Sequence, residues 1–360
     1  MNDEAEPTGE TREAIQARAR ELASEGRDAE AQGALADSLS KLEAALALLP
    51  DHEPSPLRVD VLRWLGTTQR ELGQTATAEA HYEESGELAR EIDYGVGEAH
   101  ALNCLAIIAQ RRGDVEGAQG LYRQAARQAN QAGEHRLAGM VEQNLGVLAN
   151  IQGDLDGALV RYRSSLRQFE EGDFQEGMSW VLSNLGMLHT DLEKYEEAEE
   201  YFVRALEIAR NQRDLHTQAL VESNLAEVCI RLEKWTKAEA HVSGALAIAE
   251  ERGDPLRRAE GLKFLGMIQR ARGEFATATE TLTLSHKLAE ESEDVLLAAE
   301  ASRELGETHA QAQEFETARE FFERAIKLFT ETNAALDATT VQERLDQIGS
   351  DAPKPLQESN

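Results

Sequence analysis

The sequence predicts an all-α fold in which helical hairpins stack into a solenoid. A leucine recurs every 40 residues without insertion or deletion, and a small residue follows it in seven copies. A fixed period of this length is typical of repeat proteins, in which each repeat buries its apolar face only against its neighbours. The regular repeats also hold a single proline, Pro255, which follows Asp254 as the first residue of a helix would. The recurring leucines are Leu65, Leu105, Leu145, Leu185, Leu225, Leu265, Leu305 and Leu345.

The predicted elements follow one another in a simple order. Residues 1–9 are polar and are expected to be disordered. Residues 10–49 are expected to form a degenerate first repeat, because Glu25 stands where the recurring leucine belongs and terminal repeats commonly depart from the pattern. After these come seven regular repeats over 57–333, a capping helix with a polar outer face over 335–348, and a disordered tail over 350–360.

Each regular repeat reads as a first helix, a turn and a second helix. The first helix carries the leucine and the small residue. Most turns contain glycine, which readily takes the left-handed conformation at a helix C-terminus. Glutamate replaces it in Glu193-Lys194 and Glu233-Lys234 and should adopt that conformation less readily. The second helix carries two small residues and one large residue on a single face, as in Ala158, Tyr162 and Ser165.

Composition argues against several classes of function. The net charge is -30, so the chain lacks the basic footprint of a nucleic-acid-binding protein, and anionic membranes are disfavoured. It has no apolar run long enough to span a bilayer, and its N-terminus is acidic where a signal peptide would be basic. Cys104 and Cys229 lie three repeats apart, too far for a disulfide. We therefore expect a cytoplasmic protein with reduced thiols, no membrane insertion and no direct contact with nucleic acid.

The sequence contains no recognisable catalytic motif. Gly95-Val96-Gly97 lacks the third glycine and the preceding strand of a phosphate-binding loop. His189 and Cys229 hold equivalent places in adjacent repeats, but two ligands do not make a zinc site. Carboxylates are so numerous that pairs arise by chance, and nothing selects one pair for acid–base chemistry. We expect no enzyme activity, no metal site and no cofactor.

Leucine-glycine in a first helix, followed by alanine, an aromatic residue and alanine in a second, resembles the tetratricopeptide repeat (TPR). The resemblance covers 57–333 strongly and 10–49 weakly. The period of 40 residues, in place of 34, is similar to a longer-repeat branch that includes LGN/Pins-type and kinesin-light-chain-type scaffolds. The segments that resemble this branch most are Gln143-Asn144-Leu145-Gly146, Ser183-Asn184-Leu185-Gly186 and Ser223-Asn224-Leu225-Ala226.

This resemblance implies a right-handed superhelix of about eight helical hairpins plus the C-terminal capping helix. Its first helices would line a concave groove that holds peptides or helices of other proteins. The residues implied to face it stand five, two and one before the recurring leucine and two, five and six after it; we call these the groove positions. They are nearly neutral in sum, with an amide-rich and apolar middle and charged ends. The groove therefore suits a protein or peptide segment with an apolar centre and polar flanks.

The candidate peptide-binding residues combine amides, apolar side chains and cations. Asn144, Asn184 and Asn224 recur one repeat apart, and an amide can pair with a peptide backbone whatever the peptide's side chains are. Alternatively, these asparagines bond to neighbouring first helices and brace the stack. Methionine adapts to varied apolar surfaces, although ordinary helix packing explains each apolar residue equally well. The full set is Asn144, Asn184, Asn224, Gln143, Asn103, Met140, Trp180, Met187, Ile107, Arg63, Arg70, Arg111, Lys263 and Arg270.

Three functions fit these observations. The first is a non-enzymatic scaffold that captures a peptide or helical segment of a partner protein in its groove. The second is a peptide-sensing regulatory module. The third is a structural solenoid that self-associates through its ends.

Overall fold

The computed structural model describes residues 12–50 and 53–351, and every regular element in those ranges is an α-helix. The expectation of disorder over 1–9 lies outside the described residues, as does that over 350–360 from residue 352 on, whereas residues 350 and 351 belong to the last helix. Close backbone contacts divide the chain into two compact units, 1–181 and 182–360. Helix α9 (Gln175–Asp191) contributes its first part to the N-terminal unit and its second part to the C-terminal unit.

The N-terminal unit consists of antiparallel helical hairpins in chain order. The first hairpin corresponds in position to the predicted degenerate repeat, and the next three are regular. Their helices are α1 (Arg12–Ala31), α2 (Leu35–Ala47), α3 (Pro56–Glu71), α4 (Thr75–Glu91), α5 (Gly95–Arg111), α6 (Val115–Gln131), α7 (His135–Ile151) and α8 (Leu155–Glu171), followed by the start of α9.

The C-terminal unit repeats the same arrangement after the second part of α9. Its last helix contains the predicted capping helix 335–348 and extends to Asp351. The helices are α10 (Tyr195–Gln212), α11 (Leu215–Arg231), α12 (Trp235–Arg252), α13 (Pro255–Ala271), α14 (Phe275–Glu291), α15 (Val295–Gln311), α16 (Phe315–Glu331) and α17 (Ala335–Asp351).

The leucine-glycine pair creates the contact between the two helices of a hairpin. A Cβ atom on Gly146 would lie 2.6 Å from the Tyr162 ring, and one on Gly306 would lie 2.7 Å from the Phe322 ring. Both rings are fully buried or nearly so. The small residue therefore lets the aromatic side chain of the second helix lie directly against the first helix, at the packing density of a protein interior.

A serine in several second helices adds a polar contact to this packing. Ser85 donates a hydrogen bond from Oγ to the Val59 carbonyl at 2.8 Å, and Ser165 does the same to Gly139 at 2.8 Å. Ser285 donates to Ala259 at 2.7 Å. These hydroxyls are buried, and each bond joins the second helix to the first helix of its own hairpin, which satisfies a buried donor.

The turns adopt the left-handed conformation whether or not glycine is present. Gly113 and Gly153 have φ of 81° and 76°, and Glu193 and Glu233 take 56° and 54°. The glutamates therefore adopt the left-handed conformation, which is unfavourable for residues that have a Cβ atom. The prediction of an all-α chain of stacked helical hairpins is confirmed.

Candidate functional site

The groove positions lie on first helices that contact one another. In the N-terminal unit, α3 contacts α5 and α5 contacts α7; in the C-terminal unit, α11 contacts α13 and α13 contacts α15. The first helices α3, α5 and α7, and likewise α11, α13 and α15, thus form a layer in which residues at equivalent positions of successive repeats become neighbours. The sequence-predicted residues fall into two sets, one in each unit.

In the N-terminal unit, two of the predicted amides bond to each other. Asn144 Nδ2 on α7 donates to Asn103 Oδ1 on α5 at 3.0 Å. Asn103 is buried, whereas Asn144 and the neighbouring Gln143 are half-buried. The bond links consecutive first helices, which is the bracing arrangement.

The predicted apolar residues of this unit are partly packed into the protein. Ile107 packs against the core cluster built around Tyr122. Trp180 lies edge-on to Phe174, with ring centroids 5.9 Å apart at 89°. Met140 is also half-buried. Part of each of the three side chains remains open to solvent.

In the C-terminal unit, the amide of α11 has an unmade hydrogen bond. The Nδ2 atom of Asn224 is buried and has no hydrogen-bond partner among the described residues. The same holds for the hydroxyl oxygens of Ser183 and Ser223, whose side chains are almost fully buried. A buried donor without a partner costs about 1–3 kcal/mol, so each of these three atoms is poorly satisfied by the protein itself.

Two further candidates lie beside this group of atoms in sequence. Asn184 is half-buried, and Met187 is 47% exposed, which is unusual for a large apolar side chain in the middle of a helix. Asn184 and Met187 belong to the second part of α9, and Asn224 belongs to α11. The C-terminal unit therefore combines an exposed methionine with unsatisfied polar atoms.

The predicted cations of the N-terminal unit mostly have carboxylate partners. Arg63 pairs with Asp60 at 3.3 Å, and Arg70 with Glu71 at 2.6 Å. Arg111 is exposed. Burial, with a contribution from the charges of Arg63 and Arg27, lowers the pKa of His100 from its usual 6.5 to about 3. His100, which also stands at a groove position, is therefore neutral at physiological pH.

The predicted cations of the C-terminal unit belong to a buried ionic network. Lys263 Nζ lies 2.5 Å from Glu300, and Arg270 lies 2.7 Å from Glu304 on α15. Arg303 contacts Glu304 at 3.2 Å. Burial by itself would raise the pKa of Glu304, but the nearby charges of Arg270, Arg303 and Lys263 outweigh it, so the pKa lies below its usual value. These cations are thus neutralised by the next repeat.

Glu304, Ser183 and Ser223 stand at groove positions by sequence, but the candidate peptide-binding residues did not include them. Glu304 was one acid among many, and its burial depends on two arginines contributed by different positions. The two serines directly precede asparagines in the quoted leucine-glycine segments, and this repetition was the available signal. His189, in contrast, uses Nδ1 to bond the Leu185 carbonyl at 2.7 Å and packs on Tyr201.

None of the described helices is both long enough and apolar enough to cross a lipid bilayer. Among the same residues, no group of three or more histidine, cysteine, aspartate or glutamate side chains is arranged to hold a metal ion.

Several solved structures share the fold of this chain. It is similar to apo RapI (TM-score 0.66, 15% identity, covering 92% of this chain and 97% of that one). It is also similar to the apo quorum sensor NprR from B. thuringiensis (TM-score 0.64, 18% identity, 88% and 87%). A third is a Rap protein complexed with Competence and Sporulation Factor (TM-score 0.56, 15% identity, 95% and 99%). At these identities the likeness concerns the fold.

No curated protein sequence matches the chain significantly. A sequence profile described as tetratricopeptide repeat matches five overlapping windows, 97–171, 137–211, 177–251, 217–291 and 257–331. Together these windows span well over half of the chain, and their starts recur at the spacing of the leucine. The hairpins, the leucine-glycine contacts and this match agree, and the chain belongs to the tetratricopeptide repeat family.

Proposed function

We propose that this protein is a non-enzymatic interaction scaffold that binds a peptide or helical segment of a partner protein at the groove positions. The observation that carries the proposal is a set of three unsatisfied polar atoms at groove positions of the C-terminal unit. Asn224 Nδ2 and the hydroxyls of Ser183 and Ser223 are buried without partners. A bound peptide backbone supplies the carbonyl oxygens that such donors require.

The surroundings of these atoms suit a segment with an apolar centre. Met187 is 47% exposed and offers a flexible apolar contact. Lys263 and Arg270 are already paired with carboxylates of the next repeat, so polar flanks of the segment would meet a balanced surface. In this proposal the contacts are made by Asn184, Met187 and Asn224, with the remaining candidate residues extending the surface in each unit.

The 40-residue period also leads us to place the chain in the longer-repeat branch with LGN/Pins-type and kinesin-light-chain-type scaffolds. A peptide-sensing role is the second candidate. It is favoured by the fold-level likeness to the quorum sensor NprR and to a Rap protein solved with Competence and Sporulation Factor. In both roles the groove holds a segment from outside the chain.

The test is to select binders from a displayed peptide library on the full-length protein and to measure their affinity by calorimetry. We expect Asn224→Ala to weaken a selected peptide about tenfold or more, because one buried hydrogen bond is lost. Asn211→Ala is the matched control, since Asn211 is exposed on the second helix α10. If all selected peptides bind both variants equally well, groove binding at Asn224 is wrong.

A further inference from the structure

The outer face of two second helices in the N-terminal unit is positively charged, whereas the protein as a whole is negatively charged. Arg123 and Arg127 stand one turn apart on α6, and Arg163 and Arg167 stand at the equivalent positions of the next hairpin, on α8. All four side chains are exposed. In a chain of net charge -30, four cations in register on neighbouring hairpins form a local positive surface, which we call the arginine face.

The four arginines of the arginine face are not neutralised by other side chains of the described chain. In the described part of the chain, none of the four arginines forms an ion pair, a hydrogen bond from its side chain or a ring contact. Other second-helix arginines do pair, such as Arg324 with Glu290 at 2.6 Å and Arg210 with Glu222 at 2.6 Å.

Acids are few on the two helices that carry this face, although the preceding hairpin has them. In the preceding hairpin, the positions equivalent to Arg123 and Arg127 are Glu83 and Glu87. On α6 the only acid is Glu116, in the first turn, and on α8 the acids stand in the first and last turns. Arg123, Arg127 and Arg163 therefore have no carboxylate within one turn on their own helix, whereas Arg167 has Glu171 four residues further on.

A cleft of about 500 Å³ separates the two helices and adds to the face. Arg123 and Arg127 line it from α6, and Arg161 lines it from α8, where Arg161 is held by the buried Glu142 at 3.0 Å. Glu142 also lines the cleft, so an incoming carboxylate would meet the exposed Arg123 and Arg127 beside an arginine that Glu142 already holds. Arginine binds carboxylates through two parallel hydrogen bonds, which makes it well suited to this role.

Gly120 supplies an independent indication that something approaches closely. It is half-buried and lies three residues before Arg123 on α6, and a Cβ atom added there would meet nothing within 4 Å. A glycine in the middle of a helix costs about 0.5–1 kcal/mol relative to alanine. The fold of this chain gives no reason for it, whereas close approach of another backbone does. At the equivalent position of α8, Val160 is 66% exposed.

We propose that the arginine face docks an acidic segment of a partner protein, with carboxylates spaced one helical turn apart and a small apolar residue to contact Val160. A long nucleic acid suits this surface less well. Its affinity depends on neutralising many phosphates, and the adjoining helix α4 carries Glu79, Glu83 and Glu87. This docking surface lies on second helices and is separate from the groove positions.

The experiment measures binding of a fluorescein-labelled helical peptide, with glutamates at i and i+4, to the full-length protein by anisotropy at 50 and 150 mM NaCl. The test variant is Arg123→Glu/Arg127→Glu/Arg163→Glu/Arg167→Glu. The control, Arg20→Glu/Arg252→Glu/Arg258→Glu/Arg319→Glu, makes the same change in net charge at four exposed arginines elsewhere. A second test variant changes the four face arginines to glutamine, and circular dichroism verifies folding of each.

We expect the wild type and the control to bind the peptide, and both face variants to bind at least tenfold more weakly. Asn224→Ala should leave this binding unchanged, which separates the proposal from that of the groove. The proposal is wrong if the wild type does not bind the peptide, or if the face and control variants lose affinity for it equally. It is also wrong if a 20-nucleotide single-stranded DNA binds more tightly than the peptide and depends in the same way on the four arginines.

Discussion

At the scale of single residues, asparagines at equivalent positions have different surroundings. Asn144 donates to the buried Asn103, and Asn224 keeps an unpaired buried donor. Asn144→Ala should therefore lower the free energy of unfolding by about 1–2 kcal/mol, because the Asn103 oxygen loses its partner. Asn224→Ala should leave the melting temperature of the free protein unchanged or raise it. Thermal denaturation followed by circular dichroism measures both, and a larger loss for Asn224→Ala would contradict the assignment.

A second residue-scale prediction concerns His100. Because its pKa is lowered to about 3, the folded protein leaves His100 neutral between pH 6.5 and 3 while the unfolded chain binds a proton there. Stability contributed by the neutral ring is full above pH 6.5 and is lost as the pH falls. His100→Gln should flatten the dependence of unfolding free energy on pH between 6.5 and 5 by up to about 1 kcal/mol per pH unit. Urea titrations at several pH values test this, with the exposed His135 changed to glutamine as control.

The candidate site was predictable only in part. The groove positions follow from the period, since equivalent residues on consecutive first helices must become neighbours. Whether a side chain at one of these positions finds a hydrogen-bond partner depends on the residues of the neighbouring repeat. The sequence of a single repeat does not determine this. Lys263 illustrates the limit: it was predicted as a cation available to a partner, yet Glu300 of the following repeat lies 2.5 Å away.

At the scale of elements, one hairpin shows how a large side chain is accommodated. A Cβ atom on Gly139 would lie 2.5 Å from the ring of Phe169, which is fully buried. Three of the six other regular repeats have alanine at both positions, and the last regular repeat has Ala299 and Phe329 there. Gly139→Ala should destabilise the protein by about 1–3 kcal/mol through overpacking, and Phe169→Ala by about 3–5 kcal/mol.

The double variant Gly139→Ala/Phe169→Ala should cost less than the sum of the two, because removal of the ring makes room for the methyl group. Denaturation of all four proteins gives the coupling energy, and strict additivity would show that the two residues do not constrain each other. Gly120→Ala serves as the control for helix propensity, since an added Cβ meets nothing within 4 Å there. That change should stabilise the protein by about 0.5–1 kcal/mol.

The turns give another element-scale prediction. Glu233 is exposed and has φ of 54°, a conformation that costs a residue with a Cβ about 1–2 kcal/mol. Glu233→Gly should raise the free energy of unfolding by about 0.5–1 kcal/mol after the larger entropy of glycine in the unfolded chain is included. Glu233→Ala removes the charge but keeps the Cβ, so it should not stabilise. Equal stabilisation by both changes would assign the effect to charge.

The helices themselves were predictable because several independent signals agree. The leucine-glycine pair, the small-large-small face of the second helix and the turn residues all repeat with one period, so an error in one repeat is corrected by the others. The left-handed Glu193 and Glu233 show why the remainder was harder. The period imposes the turn at these places, although the local residue type favours another conformation.

At the scale of the whole molecule, the net charge of -30 is the dominant electrostatic property. Many exposed carboxylates are paired, as Glu79 is with Arg112 and Glu239 with Arg272, and these pairs link consecutive repeats. Exposed pairs contribute little individually, whereas repulsion among the excess carboxylates opposes a compact state. The arginine face is the local exception in the N-terminal unit.

Salt should therefore stabilise this protein at neutral pH. Between 10 and 200 mM NaCl the screening length falls from about 30 Å to below 8 Å, so repulsion between distant carboxylates weakens more than attraction within contacting pairs. We expect the melting temperature at pH 7.5 to rise over this range. At pH 5.0, close to the isoelectric point of about 4.7, the net charge is small and the same salt should change the melting temperature much less. A fall in melting temperature with salt at pH 7.5 would mean that the ion pairs between repeats outweigh the repulsion.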